Sequence, residues 1–407
     1  MKPSTIALLL AAIALSSCQA ASEDEVETVN LDVEQAEQIP TDPDVDHIEF
    51  DIARVGNTLY LCWAQQRDGE ATHDIYFTTG NAGTDLSGGA ERVTNTTADS
   101  RNPRLAVNSD GDVAVVWEEG TSPSRSINMA ERDAVTTNFG AASEVVDDSD
   151  DNENPHCHYD DLDTLHVVWD EGGDIFYRRR PDGGSMAATI TLSSSAGTDA
   201  INATVTSDDT GNVYVAWRHT IAGGFLVITA AASDNNGQAG SFVILDQLAV
   251  PALSLGMYEP HIARASDDGQ FYVAYRIGNS DERRIRVSKF TSFGVTLLFS
   301  RDVHTDSSSD PTGSSPHIVT RTESGTTQVY VAWEDDGEIK ARASHDEGGS
   351  FGATATVSDA YSNSSSNAGP RIVAGEDEAF IVWDGADTTA SSNRAGFLAE
   401  GEYETSS

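Results

Sequence analysis

Seven apolar runs in this sequence end in an aromatic residue, Trp63, Trp117, Trp169, Trp217, Tyr275, Trp333 or Trp383, and a charged residue often follows it. Upstream of all but one run stands a basic residue, usually with a proline before it; the exception is Asn202-Ala203. The copies read Asn102-Pro103-Arg104, Asn154-Pro155-His156, Glu259-Pro260-His261, Ser315-Pro316-His317 and Gly369-Pro370-Arg371; Asp46-His47 and Asn202-Ala203 lack the proline. If the two segments are antiparallel neighbours, the start of one lies beside the end of the other. The expected pairs are then His47 with Ala64, Arg104 with Glu118, His156 with Asp170 and Ala203 with Arg218. They continue as His261 with Arg276, His317 with Glu334 and Arg371 with Asp384. Arg104–Glu118, Arg371–Asp384 and His317–Glu334 read as paired staples of small net energy. Arg218, His261 and Arg276 have no carboxylate in that register, and adjacent guanidinium groups call for an anion, water or Glu259. That sector is the expected anion site, with Tyr258 and Glu259 beside it.

Two other clusters are weaker. His156-Cys157-His158 places two imidazoles on one strand face, a two-point metal grip, but Cys157 falls where Ile262 and Ile318 fill the core. Asp147-Asp148-Ser149-Asp150-Asp151-Asn152 alternates oxygen ligands as calcium loops do, yet lacks the glycine that turns an EF-hand loop. It reads as a solvated acidic loop. No metal and no cofactor is expected.

The elements that must carry these residues repeat. The seven aromatics are 48 to 58 residues apart, and only short strands and Gly/Asp turns lie between them, a propeller period. Each unit offers four strands. The second is apolar on both sides, as in Val213-Tyr214-Val215-Ala216-Trp217, which suits a strand sandwiched between neighbouring sheets. The aromatic at its end is expected in the core. The fold predicted is an all-β, seven-bladed propeller of four-stranded antiparallel blades. The last unit runs out of apolar sequence after Arg394–Ala399. The alternating stretch Val29, Leu31, Val33 is spare and supplies its missing strand; Glu402–Thr405 is the competing choice.

One turn carries a family resemblance. Ser344-His345-Asp346-Glu347-Gly348-Gly349-Ser350-Phe351 resembles the Asp box, or BNR repeat, of sialidase-like propellers. Asp346 is placed to cap its own turn, Gly348 to take a positive φ, and Ser344, Ser350 and Phe351 complete the motif. Ser233-Asp234 to Gly240-Ser241-Phe242 resembles a stretched copy, and Asn138-Phe139-Gly140 a remnant. The resemblance implies a propeller and places the box away from the site. Sialidases have three arginines on the substrate carboxylate, a Tyr nucleophile with a Glu partner, an Asp acid/base and an Arg-Ile-Pro motif, mostly on six blades. This sequence has no Arg-Ile-Pro, only Pro370-Arg371-Ile372 in the last unit, and it has seven repeats; a six-bladed sialidase-like body is the alternative. Tyr258 and Glu259 match the nucleophile pair in residue type alone.

Charge and ends set the setting. The 407 residues carry a net charge of −42, with 21 Arg and only 3 Lys. Such a surface repels nucleic acid and anionic lipid headgroups. Lys2, the apolar run Ile6–Leu15 and Leu15-Ser16-Ser17-Cys18 resemble a lipoprotein signal with its lipobox, so residues 1–17 read as a processed segment and Cys18 as the lipidated residue. The run is too short to span a bilayer. Residues 18–46, with ten acidic residues and no Lys or Arg from Gln19 to Asp46, read as a solvated tether that contains the closing strand. The propeller follows over 47–407. Cys62 and Cys157, on non-adjacent units, are expected as buried free thiols. The functional expectation is a membrane-anchored lipoprotein at the cell surface or in the periplasm (outer membrane in a Gram-negative cell). Its body is monomeric and binds an acidic glycan or a protein partner without catalysis. An exo-acting glycosidase of sialidase type and an assembly scaffold without a small ligand are the alternatives.

Overall fold

A computed structural model describes residues 29–39 and 45–405, apart from 85, 87–88, 137, 194–198, 222–224, 250–255, 265–269, 280–281, 292–295, 307–313, 361–363, 377 and 388–393. Cys18 and the signal segment lie outside the described residues. Seven four-stranded antiparallel sheets follow one another round the molecule. Six are built from consecutive strands. The innermost strands are His47–Val55, Ser100–Val107, Asn152–Tyr159, Ile201–Ser207, Gly256–Arg264, Ser314–Glu323 and, in the seventh blade, Ser364–Ala374. Among the described residues the one helical turn is Val357–Ala360, and no helix is long and apolar enough to cross a membrane.

The second strand of each blade explains the packing. Its two faces both meet a neighbouring sheet, so Val213–Trp217 and Val329–Trp333 are buried at every position. The six tryptophans and Tyr275 are at most 1% exposed. Trp383 packs with residues of the sixth and seventh blades, Tyr330 and Ala341 among them. These aromatics are core. Cys62 and Cys157 are buried free thiols.

The ring closes by joining distant parts of the chain. Val29–Ile39 is the fourth strand of the seventh blade and pairs antiparallel with Arg394–Thr405, from Val29↔Thr405 to Ile39↔Gly396. The alternative closing segment, Glu402–Thr405, is instead the end of the third strand. A register irregularity between Val33 and Gln35 has a use. Side chains alternate across a strand with period two, so one extra residue exchanges the faces beyond it. Leu31 accordingly packs with sixth-blade residues such as Tyr330 and Val357, while Ile39 packs with Phe50 and Trp63 of the first blade. One strand therefore clamps both neighbours. Gly396 permits this, because a Cβ there would lie 2.0 Å from the Phe50 ring and 2.3 Å from the Ile39 carbonyl oxygen.

Candidate functional site

The innermost strands do not run straight into their partners. In every blade a residue near the start has a left-handed backbone: Glu49, Asn102, Asn154, Asn202, Glu259, Ser315 and, in the seventh, both Ser366 and Gly369, with φ between 49° and 60°. A register shift follows in each. Asn and Gly tolerate this region best, and the bulge it makes offsets the ladder. The pairs read from the sequence are corrected by that offset. Arg104 pairs with Val116, His156 with Val168, His261 with Ala274, His317 with Ala332 and Arg371 with Val382. The residues opposite Glu118, Asp170, Arg218, Arg276, Glu334 and Asp384 are Arg101, Glu153, Ile201, Tyr258, Ser314 and Ala368.

The bulge also splits the expected staples. Glu118 pairs with Arg125 at 2.9 Å, Asp384 with Arg394 at 2.6 Å, and Arg371 reaches Asp51 at 3.6 Å. Glu334 accepts from Ser314 Oγ and from the Gly337 N–H. Two of the acids that follow the aromatics serve the next blade instead. Glu118 Oε1 accepts the Asn154 N–H at 2.8 Å and Asp170 Oδ1 the Asn202 N–H at 3.2 Å. Glu49 and Glu259 do the same from the left-handed position, accepting from Asn102 N at 2.6 Å and Ser315 N at 2.7 Å. Carboxylates thus join blade to blade.

One step further in, a second ring of side chains repeats the device. The Leu105 N–H donates to Asp51 Oδ2 at 2.8 Å and the Ile262 N–H to Thr204 Oγ1 at 3.2 Å. Val205, Ile318 and Ile372 donate to Nδ1 of His156, His261 and His317, at 3.3, 3.4 and 3.3 Å. The inner ring is therefore Asp51, Arg104, His156, Thr204, His261, His317 and Arg371. His47 and Ala203 are not members; His47 pairs with Gln65. Asp51 and Thr204 escaped sequence reading because it matched on the basic residue. The signal that finds them is the Ile or Val that follows, as in Asp51-Ile52, Thr204-Val205, His261-Ile262 and Arg371-Ile372.

Three histidines of this ring stand together, with His261 5.5 Å from His156 and 3.8 Å from His317 between ring centroids. Burial pushes the His261 imidazolium down to about 3, helped by the Arg371 and Arg104 charges. His156 and His317 are held well below the usual histidine range, by burial first and then by His261. All three are neutral near pH 7. Since each Nδ1 lone pair takes a backbone N–H, the ring proton sits on Nε2, which is a donor. Arg104 and Arg371 each spend one Nη1 on the carbonyl of their own proline, at 2.7 and 3.0 Å. Burial, then Arg104, lowers Arg371 to about 10, so it keeps its charge. His156, His261, Arg104, Arg371 and Glu259 are among the side chains that line a cavity of about 230 Å³ on the axis, and His317 packs against His261.

The expected anion sector divides. His261 and Glu259 reach the cavity. Arg276 lies behind it, with Nε 3.4 Å from Glu259 Oε2 and its guanidinium 3.9 Å over the Tyr258 ring. Arg218 stands across from Ile201, its Nε buried without a partner. Its charge partly offsets the burial that pushes Asp170 up to about 7. The imidazoles of the His-Cys-His string are engaged, His156 as above and His158 through Nε2 with Ser207 Oγ at 2.9 Å.

The box-like turn is on the opposite face, between the third and fourth strands of the sixth blade. Ser344 Oγ donates to Asp346 Oδ1, and Ser350 N and Oγ donate to the two Asp346 oxygens, each at 2.7 Å. Gly348 has φ 82° and donates its N–H to Ser344 Oγ at 2.9 Å. Phe351 packs on the cluster that joins the fifth and sixth blades. In the stretched copy Ser233 Oγ accepts the Gly237 N–H at 3.0 Å.

No family model matches this chain, and no curated protein matches it in sequence. Solved structures do match. A polysaccharide lyase, Uly1, superposes with a TM-score of 0.55 at 7% identity, over 91% of this chain and 99% of its own. A polysaccharide lyase described as an ulvan lyase gives 0.53 at 13%, over 93% and 95%. A microbial sialidase, Hadza Hz136, gives 0.51 at 9%, over 93% and 95%. At these identities the likeness is one of fold alone.

Proposed function

We propose that this propeller binds an acidic sugar residue at the axial cavity and does not transform it. The observation that carries the reading is the lining: the Nε2–H donors of two neutral histidines, His156 and His261, beside two guanidinium groups in a protein of net charge −42. A carboxylate takes two parallel N–H donors from arginine, and sugar hydroxyls take the imidazole donors. A volume of about 230 Å³ is below the ~300–1,000 Å³ of drug-sized sites, so one ring or one acidic group enters, not a chain. The solved structures of similar fold include polysaccharide lyases and a sialidase, which agrees with a carbohydrate ligand.

Binding is favoured over catalysis because the groups suited to chemistry are otherwise engaged. A general base needs a free lone pair within reach of substrate, and the histidine Nδ1 atoms have given theirs to the backbone. A sialidase nucleophile pair needs Glu facing Tyr, whereas Glu259 accepts from Ser315 and Arg276. In this reading Cys18 carries a lipid that tethers the propeller to a membrane surface. The test is to incubate the protein with sialylated and uronate-containing oligosaccharides, following retention and product release together. Retention without product is expected. Released sialic acid or an unsaturated uronate would replace this reading with an enzymatic one; no retention of any acidic glycan would favour a scaffold.

A further inference from the structure

The chain enters the third blade through Asp147-Asp148-Ser149-Asp150-Asp151-Asn152, and this turn holds more negative charge than its neighbours answer. One carboxylate oxygen each from Asp148, Asp150 and Glu171 lie within 4.8 Å of one another. The adjacent cation, Arg125, is committed to Asp151 at 2.7 Å, to Glu118 at 2.9 Å and to Glu153. The second blade shows what the position normally receives. There Glu119, two residues after Trp117 as Glu171 is after Trp169, accepts from Thr96 Oγ1, from Ser100 Oγ at 2.7 Å and from Trp117 Nε1 at 2.8 Å.

Asn152 holds the register place of Ser100, opposite Glu171, and is fully buried. Its Nδ2 faces three acceptors, Asp148 Oδ1 at 3.0 Å, Asp150 O at 3.3 Å and Arg125 O at 2.9 Å, with two protons to give. Its Oδ1 is buried and meets no donor. An unmatched buried carbonyl costs about 1–3 kcal/mol. Turning the carboxamide over keeps its shape and aims Oδ1 at the carboxylates, an arrangement that only a cation between them makes favourable.

We propose that this turn binds a divalent cation, calcium in preference to magnesium, through Asp148, Asp150, Asn152 and Glu171. The donors are all oxygens, three of them carboxylates, which suits a hard cation. They alternate along the chain at 148, 150 and 152, and Asp148 Oδ1 takes the Asp150 N–H at 3.1 Å, curling the turn around the site. A turn of this kind adapts to the longer, more numerous bonds of calcium better than to the rigid octahedron of magnesium. The bound ion braces the cavity wall. Asp151 and Glu153, either side of Asn152, hold Arg125; Arg125 holds Glu118; and Glu118 caps Asn154 at the cavity lining.

The test uses the full chain freed of metal, at physiological ionic strength. Calcium is titrated by calorimetry and by displacement of terbium, whose luminescence Trp169 sensitises. One saturable calcium per chain is expected, with a rise in melting temperature. Both should weaken by about tenfold or more in Asp148→Asn and in Glu171→Gln. Asp150→Asn, at an exposed position, provides a second variant that leaves the core alone. No saturable uptake, or uptake and melting gain equal to wild type in all three variants, overturns the site and leaves diffuse screening by the acidic surface. Magnesium binding as tight as calcium overturns the choice of ion.

Discussion

At the axial cavity the chemistry turns on which nitrogen of each histidine is already used. With Nδ1 accepting from the next blade, His156, His261 and His317 are structural on one side and donors on the other. Their low proton affinity sets a pH dependence. A group whose folded pKa lies below its unfolded value stabilises the fold above the unfolded pKa, and that stability fades as pH falls. For these histidines the loss begins near pH 6.5 and continues toward about 3, the folded value for His261. Asp170, raised to about 7, acts in the opposite sense, since it favours the fold as pH falls. The lowered buried histidines, His158 and His166 included, outnumber the raised buried acids Asp170 and Asp384, so chemical denaturation should show lower stability at pH 5 than at pH 7. His261→Gln should flatten that slope; an unchanged slope would mean that the imidazole titrates freely.

At the scale of elements, two features carry the fold: the buried aromatic that ends each second strand and the clamp formed by Val29–Ile39. Trp169→Ala should cost about 3–5 kcal/mol, measured by urea denaturation. Gly396→Ala should lower the melting temperature without touching the cavity, because its methyl would strike Phe50 and the Ile39 carbonyl. A variant that melts like the parent would mean that the closing strand yields freely. The blade count, the four strands, the core aromatics and this closing strand were legible in the sequence, since burial on two faces and a fixed period leave a strong pattern. The site was legible in residue type but not in register. A single left-handed residue such as Asn154 or Glu259 leaves no hydrophobic signature, yet it shifts the ladder and moves Arg276 from His261 to Tyr258. Asp51 was hidden for a related reason: His47-Ile48 mimics the repeat four residues ahead of Asp51-Ile52, before the left-handed Glu49 is reached.

At the scale of the whole molecule, charge is the dominant fact. Sixty-six acidic residues against 24 basic ones repel one another in the compact state, and salt screens that repulsion. The melting temperature should rise as sodium chloride is added at neutral pH; a fall would show that attractive ion pairs outweigh the net repulsion. The same field makes the two axial arginines an exception on an acidic body, the place where an anion gains most. If Cys18 carries the proposed lipid, Cys18→Ala should shift the protein out of the membrane fraction, with the cavity still functional in the soluble form. The most direct measurement of the central claim is therefore calorimetric titration of that soluble form with a methyl hexuronide and with its methyl ester. The account predicts saturable binding of the acid, at least tenfold weaker binding of the ester, a difference of about 1.4 kcal/mol, and loss of that preference in Arg104→Ala and Arg371→Ala. Equal affinity for acid and ester, or a preference for the acid that survives both substitutions, would contradict it.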